Sequence, residues 1–188
     1  MHATNMPTPA SHHHQLPTDG YTLRPATAAD LAGLPSVERA AAALFPPTVL
    51  PDGWKQTTLP PEALDEALAA SLLWVAAVTG SNEPVGFLMA QMQVRALHIA
   101  EMDVHPAHGR RGLGAALLGM ACAAAAGRGL QHVTLTTFAE VPWNGPFYER
   151  QGFERVTHPE VFRHLSDALH HETASGLSGR IAMAKNVP

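Results

Sequence analysis

Cysteine is almost absent from this 188-residue chain, which contains only Cys122. A single cysteine cannot form a disulfide within the chain. Cys122 stands in an alanine-rich stretch, where we expect it to pack as a small apolar side chain. Proteins of reducing compartments use cysteine in this way, so a cytoplasmic location is expected.

Long apolar runs and an excess of basic residues are also missing. No apolar run approaches the roughly 18 residues that a membrane-spanning helix needs. Residues 1–20 are polar and rich in proline, unlike a signal peptide. The formal net charge is −4, so no polybasic surface is expected. Neither a membrane nor a nucleic acid is therefore an expected partner.

The N-terminal residues 1–20 combine several prolines with the run His12–His14. Such a segment has little to bury, so we expect a disordered arm in front of a single domain over residues 21–188. Three adjacent histidines without a further spaced ligand are weak evidence for a metal site. No metal is expected.

The rest of the chain divides into apolar segments of strand or helix character. Strands are predicted at residues 21–24, 72–78, 85–94, 96–104, 132–137, 153–156 and 181–184. Helices are predicted at 27–45, 61–68, 113–124 and 144–152, and a polar, histidine-containing segment joins the last two strands. The crossover through the 113–124 helix makes its two flanking strands parallel. This order predicts an α/β fold with a mostly antiparallel sheet and one parallel pair.

A glycine–arginine loop (residues 105–112) connects the 96–104 strand to the 113–124 helix. Arg110 and Arg111 stand at the helix start, where the helix dipole disfavours positive charge unless an anion lies between them. Gly109, Gly112 and Gly114 leave the backbone N–H groups accessible to a ligand. The loop therefore predicts a phosphate-binding site. The alternative interpretation is a solvated basic turn whose glycines serve tight packing.

Two common phosphate-binding motifs do not fit this loop. A P-loop requires Lys followed by Ser or Thr after its last glycine, and neither is present here. The glycine order G-x-x-G-x-G is the reverse of the dinucleotide-binding fingerprint, and no tight alternation of strands and helices follows it. The loop therefore does not indicate binding of a nucleoside triphosphate or a dinucleotide.

Two motifs resemble those of the GCN5-related N-acetyltransferase (GNAT) family. Val104, Pro106, Gly112 and Gly114 match the family's V-x-P-x-x-[R/Q]-x-x-G-x-G/A, although Gly109 replaces the usual Arg or Gln. The second motif is matched by Asn144, Phe147-Tyr148 and Gly152-Phe153, with a shorter gap after the asparagine, and the opening stretch 23–30 is also similar. The resemblance covers most of residues 21–185.

The resemblance implies the GNAT fold, in which acetyl-CoA lies in a central strand–helix–strand unit as co-substrate. Backbone groups of three strand residues would pair with its pantetheine arm, and the loop and helix start would hold its pyrophosphate. The implied cofactor-binding residues are Met102, Asp103, Val104, Gly109, Arg110, Arg111, Gly112, Leu113, Gly114, Ala115 and Asn144. At Gly109 only a backbone N–H could contribute.

The same resemblance implies catalytic roles for three residues. Tyr148 would lie beside the sulfur of acetyl-CoA and act as general acid. The alternative role for Tyr148 is packing against Phe147. Glu101 is the first choice for the base and His98 the second, and strand alternation places them on opposite faces unless a bulge intervenes. The alternative for Glu101 is a structural ion pair with Arg95 or with an arginine of the loop.

The expected activity is transfer of acetyl from acetyl-CoA to a primary amine, on a small molecule or a peptide, by direct attack. The alternative is a catalytically silent acyl-CoA-binding or sensor module with the same fold. We expect the acceptor pocket to form from the 45–60 connection, Phe87, Met89, Gln91 and the 138–143 loop. Members of the family often form dimers, which makes a homodimer an option here.

Overall fold

The computed structural model describes residues 18–188, and the fold is built on one seven-stranded sheet. The strands are β1 (Tyr21–Pro25), β2 (Leu73–Val78), β3 (Pro84–Gln93), β4 (Ala96–Val104), β5 (His132–Phe138), β6 (Glu154–Arg155) and β7 (Arg180–Asn186). Their order is β1-β2-β3-β4-β5-β7-β6, and only β4 and β5 run parallel. The predicted α/β fold with its single parallel pair is confirmed.

Helices cover both faces of this sheet. They are α1 (Leu34–Ala42), α2 (Asp52–Lys55), α3 (Pro61–Ala69), α4 (Leu113–Gly127), α5 (Gly145–Arg150) and α6 (Arg163–Ala174). Helix α4 packs on one face, where Leu88, Leu97 and Leu135 lie against Leu117. We call this side the α4 face. Helices α1 and α3 pack on the opposite side, the α1 face, and α6 covers β5 and β7 on that side.

Two predicted segments differ from the structure. The first helix begins at Leu34 and ends at Ala42, because Asp30 accepts hydrogen bonds from Thr27 and Arg24 in a turn instead of opening a helix. Pro35 stands in the first turn, where its missing N–H is tolerated. The polar segment between the last two strands contains helix α6, whose only fully buried residue is Leu165. That single apolar anchor left no clear helical periodicity to detect.

Two further predictions concern the N-terminal arm and membrane-spanning helices. The predicted disordered arm falls mainly on residues 1–17, which lie outside the described residues. Among residues 18–188, no helix combines the length and the apolar character needed to cross a membrane.

An ion pair between the partly exposed Arg24 and the buried Asp30 joins β1 to the turn that follows it. The Arg24 guanidinium donates to both carboxylate oxygens of Asp30 at 2.8 Å, and the Thr27 N–H donates at 2.7 Å. The hydrogen bond from Arg24 lowers the pKa of Asp30 to about 2, against the opposing effect of burial.

We expect Asp30→Asn to lower the free energy of unfolding by about 2 kcal/mol at neutral pH. Because the folded-state pKa of Asp30 is below its unfolded value, this stabilisation is present above about pH 4 and is lost as the pH falls towards 2. Denaturant unfolding of both proteins at pH 7 and pH 3 measures it. Equal stabilities at pH 7 would contradict the prediction.

Candidate active site

Strands β4 and β5 separate after a short parallel contact. Their backbones pair only from Ala96 opposite His132 to His98 opposite Thr134. Beyond this point residues 99–104 of β4 and 135–138 of β5 are no longer paired with each other, while β3 and β7 occupy their other edges. The open wedge between them, which we call the slot, presents peptide groups that an extended ligand with amide groups can pair with.

The glycine–arginine loop lies at the open end of the slot and begins with a short 3-10 turn. The His105 ring accepts the N–H of Ala107 at 3.3 Å, and the N–H of Gly109 donates to the Pro106 carbonyl at 3.1 Å. The Gly109 N–H is therefore already used within the loop. The expectation that it remains available to a ligand does not hold in this structure.

Helix α4 starts without a side-chain cap. Gly112 is its N-cap residue in the left-handed conformation (φ +77°), and the first helical hydrogen bond runs from the N–H of Ala116 to the Gly112 carbonyl. The preceding N–H groups of the first turn thus point out of the helix end, which carries roughly half a positive charge. This end is suited to bind an anion.

Two arginines add positive charge beside this helix end. Arg110 and Arg111 are exposed, and neither takes part in an ion pair within residues 18–188. Arg110 has a positive φ of 58°, which costs a non-glycine residue about 1 kcal/mol. The Arg111 guanidinium carbon lies 5.9 Å from the centre of the Tyr21 ring. The loop therefore combines free cations with a strained backbone.

A β-bulge in β4 decides which way its acidic residues face. Met89 of β3 pairs with Glu101 and Gln91 pairs with His98, so Ala100 is an extra residue between them. Cross-strand partners point to the same side, and Met89 and Gln91 share a face. Glu101 and His98 therefore both lie on the α1 face, because the bulge that was the stated exception to strand alternation is present.

Three carboxyl groups lie near one another on the α1 face. Burial, and then the charge of Glu38, raise the pKa of Glu101 to about 7, although Arg180 opposes the shift. Burial and the charge of Glu101 raise the pKa of Asp103 well above its usual value. Burial also raises the pKa of Glu38, whose carboxylate accepts the Leu59 N–H at 3.0 Å. A group that titrates near neutrality can act as a base.

Glu101 takes part in none of the ion pairs found among residues 18–188. The alternative of a structural pair with Arg95 or with a loop arginine therefore has no support. Glu38 was missed by sequence reasoning, because a helix residue some sixty positions away leaves no local signal of its contact with β4.

Tyr148 and Asn144 belong to the other side of the slot. Tyr148 is buried on the α4 face beside Phe147 and Phe153, and burial, followed by the charge of Glu101, raises its pKa further above the usual value. The Asn144 amide donates to the Thr137 hydroxyl at 2.9 Å, while its buried Oδ1 has no partner in the described part of the chain. An unpartnered buried acceptor fits the amide N–H of a ligand.

An aromatic cluster forms among residues that were expected to line the acceptor pocket. The Phe45 ring lies 5.4 Å from Phe138 and 5.7 Å from Trp143, and Trp54 packs nearby. These residues come from the 45–60 connection and the 138–143 loop. Phe87 and Met89, predicted to line the pocket, are at most 2% exposed and belong to the core instead.

Helix α6 adds a second group of polar residues. His98 Nδ1 lies 3.2 Å from the Thr134 hydroxyl, which lies 2.9 Å from His164 Nε2 on α6. Glu172 on the same helix accepts from Thr136 at 2.6 Å and from Arg180 at 2.7 Å. Sequence reasoning found His98 but missed His164 and Glu172, because α6 itself was not predicted, and Thr134 of the predicted β5 leaves no local signal of its contact with His98.

No group of three or more His, Cys, Asp or Glu residues in the described chain is arranged to hold a metal ion. The run His12–His14 lies outside those residues.

Solved structures of several acetyltransferases have the same fold. PaiA N-acetyltransferase from Thermoplasma acidophilum, in complex with coenzyme A, superposes with a TM-score of 0.66 at 16% identity, covering 88% of this chain and 98% of its own. The ribosomal-protein-S18-alanine N-acetyltransferase from Escherichia coli gives 0.63 at 20% identity, covering 89% and 94%. N-acetylglutamate synthase from Neisseria gonorrhoeae, with coenzyme A and N-acetyl-glutamate, gives 0.67 at 16%, covering 89% and 35%.

The sequence also matches a family over more than half of its length. Residues 38–153 match the acetyltransferase (GNAT) family, a span that begins in α1 and ends just after α5. It includes the slot, the glycine–arginine loop, the α4 helix end and Tyr148. The chain therefore belongs to the GNAT family of acetyltransferases.

Proposed function

We propose that this protein transfers an acetyl group from acetyl-CoA to a primary amine. The observation that carries the proposal is the slot between β4 and β5, which opens onto an uncapped helix end flanked by two exposed arginines. A donor with a phosphate head and an amide-bearing arm matches both features. The coenzyme A bound to two of the similar acetyltransferases supports the same donor.

The donor would lie with its pyrophosphate at the loop and its arm along β4. Arg110, Arg111 and the N–H groups of Gly112, Leu113, Gly114 and Ala115 would contact the phosphates. Backbone groups of Met102, Asp103 and Val104 would pair with the arm, and Asn144 would accept an amide N–H from the other side. Five residue steps from 99 to 104 span roughly 16 Å at about 3.3 Å per step, a length that suits an extended arm.

Glu101 is the proposed base. An alkylammonium has a pKa near 10 and must lose a proton before it can attack the thioester. Glu101 has a pKa of about 7, so at neutral pH a substantial fraction is ionised and able to accept that proton. His98 is the second candidate, and its pKa is lowered to about 4 by burial, which makes it a weaker base.

Tyr148 is proposed to act on the sulfur as a hydrogen-bond donor. Its raised pKa keeps the phenol protonated, and it lies on the face opposite Glu101. A thiol has a pKa near 8.5, so complete proton transfer from Tyr148 to the leaving thiolate would be uphill. A hydrogen bond to the developing thiolate stabilises the transition state without that transfer.

The proposal is tested first by calorimetric titration with acetyl-CoA, followed by thiol-release assays with a panel of primary amines. We expect micromolar binding that requires the pyrophosphate, and amine-dependent release of CoA. No binding at millimolar acetyl-CoA would overturn the proposal. Binding without transfer to any amine would favour the silent acyl-CoA-binding module, the alternative to which the missing side chain at Gly109 points.

The two tyrosines of the chain provide a matched comparison. Tyr148→Phe is expected to lower kcat with little change in acetyl-CoA affinity. Tyr21→Phe removes the hydroxyl that lies 2.8 Å from His108 Nδ1 beside the loop, so any effect should fall on affinity rather than on kcat. An unchanged kcat in Tyr148→Phe would remove Tyr148 from the mechanism.

A further inference from the structure

A chain of three hydrogen-bonding side chains crosses the α1 face at the closed end of the slot. His98 Nδ1 and the Thr134 hydroxyl are 3.2 Å apart, and the same hydroxyl is 2.9 Å from His164 Nε2. The two imidazole rings also meet edge to face, with centroids 5.3 Å apart. The three residues come from β4, β5 and α6, so only the tertiary fold joins them.

The two ends of this chain lie in different surroundings. His98 and Thr134 form the last backbone pair before β4 and β5 separate, and His98 is only 8% exposed. His164 lies in the first turn of α6 and is partly exposed. The chain therefore leads from the inner end of the slot, on the same face as Glu101, towards solvent.

Burial and nearby charges lower the pKa of both rings, which favours the neutral form of each. Burial, followed by the nearby His164 and then Arg180, lowers the pKa of His98 to about 4, although Glu172 opposes the shift. Burial also lowers the pKa of His164, against the effect of Asp167 one turn further along α6. Neutral imidazoles have one donor and one acceptor nitrogen each, which is what a relay of protons requires.

Hydrogen-bonding rules give the chain a direction. The Thr134 hydroxyl has one proton, so it donates to one ring and accepts from the other. If His98 Nδ1 donates to Thr134, then Thr134 donates to His164 Nε2; the reverse order is the only other complete arrangement. His98 Nδ1 and His164 Nε2 face the same hydroxyl, so one of these two nitrogens must be protonated and the other must not.

We propose that His98, Thr134 and His164 form a proton relay that carries to solvent the proton that Glu101 takes from the acceptor amine. This inference rests on the proposed function. His98 Nε2 takes up this proton from Glu101 through water while Nδ1 passes its own to Thr134, Thr134 passes its hydroxyl proton to His164 Nε2, and His164 Nδ1 releases one to water. One proton enters and one leaves. Each ring then carries its proton on the other nitrogen, and reorientation of both rings and of the hydroxyl restores the starting state.

A structural role alone does not account for this chain. The second polar group on α6 already ties the helix to the sheet, since Glu172 binds Thr136 and forms a bidentate ion pair with Arg180. That group is closed, because Thr136, Glu172 and Arg180 bind one another. The Thr134 chain differs, because it ends on one side at the slot and on the other at a partly exposed ring.

The relay is tested with variants at its central member, Thr134, and at its solvent end, His164. Thr134→Val keeps the side-chain shape but removes the hydroxyl, and we expect kcat to fall roughly tenfold or more, as for other proton-transfer groups. Thr134→Ser restores a hydroxyl and should recover most of kcat. His164→Ala should lose kcat to a similar extent and regain it with added imidazole, because this end is partly exposed.

His170→Gln is the matched control, since His170 is an exposed histidine on the same helix. It should leave kcat and its solvent isotope effect unchanged, whereas Thr134→Val should change both, with an unaltered KM for acetyl-CoA. Thermal unfolding of each variant separates a loss of relay from a loss of fold. A wild-type enzyme that acetylates amines while Thr134→Val retains full kcat would overturn the relay alone. A wild type that acetylates no amine would overturn the proposed function instead.

Nitrogen-15 NMR of the histidine rings in the free protein tests the geometry without any assay of activity. Opposite protonation of His98 Nδ1 and His164 Nε2 is expected, and Thr134→Val should shift both signals. If both nitrogens were protonated, if neither were, or if their signals did not respond to Thr134→Val, the proposed relay would be wrong.

Discussion

Replacing Glu101 with glutamine is expected to lower kcat with amine acceptors by about 10²–10⁴-fold, the usual contribution of a general base. Glutamine keeps the shape of the side chain but cannot accept the proton of the attacking amine. Steady-state rates measured by thiol release, with acetyl-CoA affinity measured in parallel, are the test. Loss of kcat with retained affinity is the expected result. A Glu101→Gln enzyme with full kcat would show that the base lies elsewhere, with His98 as the next candidate.

The pH dependence of the reaction makes this prediction sharper. In the wild type kcat/KM should rise with pH and level off above about 7, as Glu101 loses its proton. The rise should vanish in Glu101→Gln. Glu38→Gln removes a neighbouring negative charge that raises the pKa of Glu101, so it should move the rise to lower pH. Glu83→Gln, in an exposed turn between β2 and β3, is the control and should leave the profile unchanged.

Replacing Glu101 with glutamine should also stabilise the fold at alkaline pH. The pKa of Glu101 in the folded protein is above its unfolded value, so the folded state binds more protons between about pH 4.5 and 7 and stability falls as the pH rises through that window. Glu101→Gln should therefore raise the free energy of unfolding at pH 8 by up to about 3 kcal/mol, and the gain should disappear near pH 4. Thermal unfolding at several pH values measures this difference. A variant that is less stable at pH 8 would contradict the shift.

The second large effect is expected at the loop. Changing Arg110 and Arg111 together to alanine should weaken acetyl-CoA binding by about 10²-fold, since each hydrogen bond to a charged group contributes about 1.5–3 kcal/mol and exposure reduces that value. The loss should shrink at high salt, where exposed charges are screened. Calorimetry with acetyl-CoA and with desulfo-CoA at two salt concentrations measures it.

Arg95→Ala is the matched control for the double variant. Arg95 is exposed and has a positive φ of 65°, close to the 58° of Arg110, but it lies in the turn at the other end of β4. Its replacement should have the same backbone consequence without any effect on acetyl-CoA. If the double variant binds acetyl-CoA as tightly as Arg95→Ala, the phosphate site is not at this loop.

Several features could be derived from the sequence because they are local. The turn at Gly112, the helix that follows it and the succession of strands along the chain depend on neighbouring residues, whose backbone preferences and apolar spacing are visible in the chain itself. The family motifs around Val104 and Tyr148 are local in the same sense, and the match over residues 38–153 confirmed the family. The roles of individual site residues remain predictions.

Other features depended on contacts between distant parts of the chain. One extra residue, Ala100, changed the face on which Glu101 lies. Side chains alternate between the two faces of a strand, and a single bulge shifts that alternation by one residue. The pKa of Glu101 depends on Glu38, and the relay depends on Thr134 and His164, which meet only when β4, β5 and α6 pack together. The sequence by itself thus determined the family, the succession of strands along the chain and the prediction of a phosphate-binding loop. The tertiary structure decided which side chains face each other across the slot, since burial and charge act through space and leave no spacing pattern in the chain.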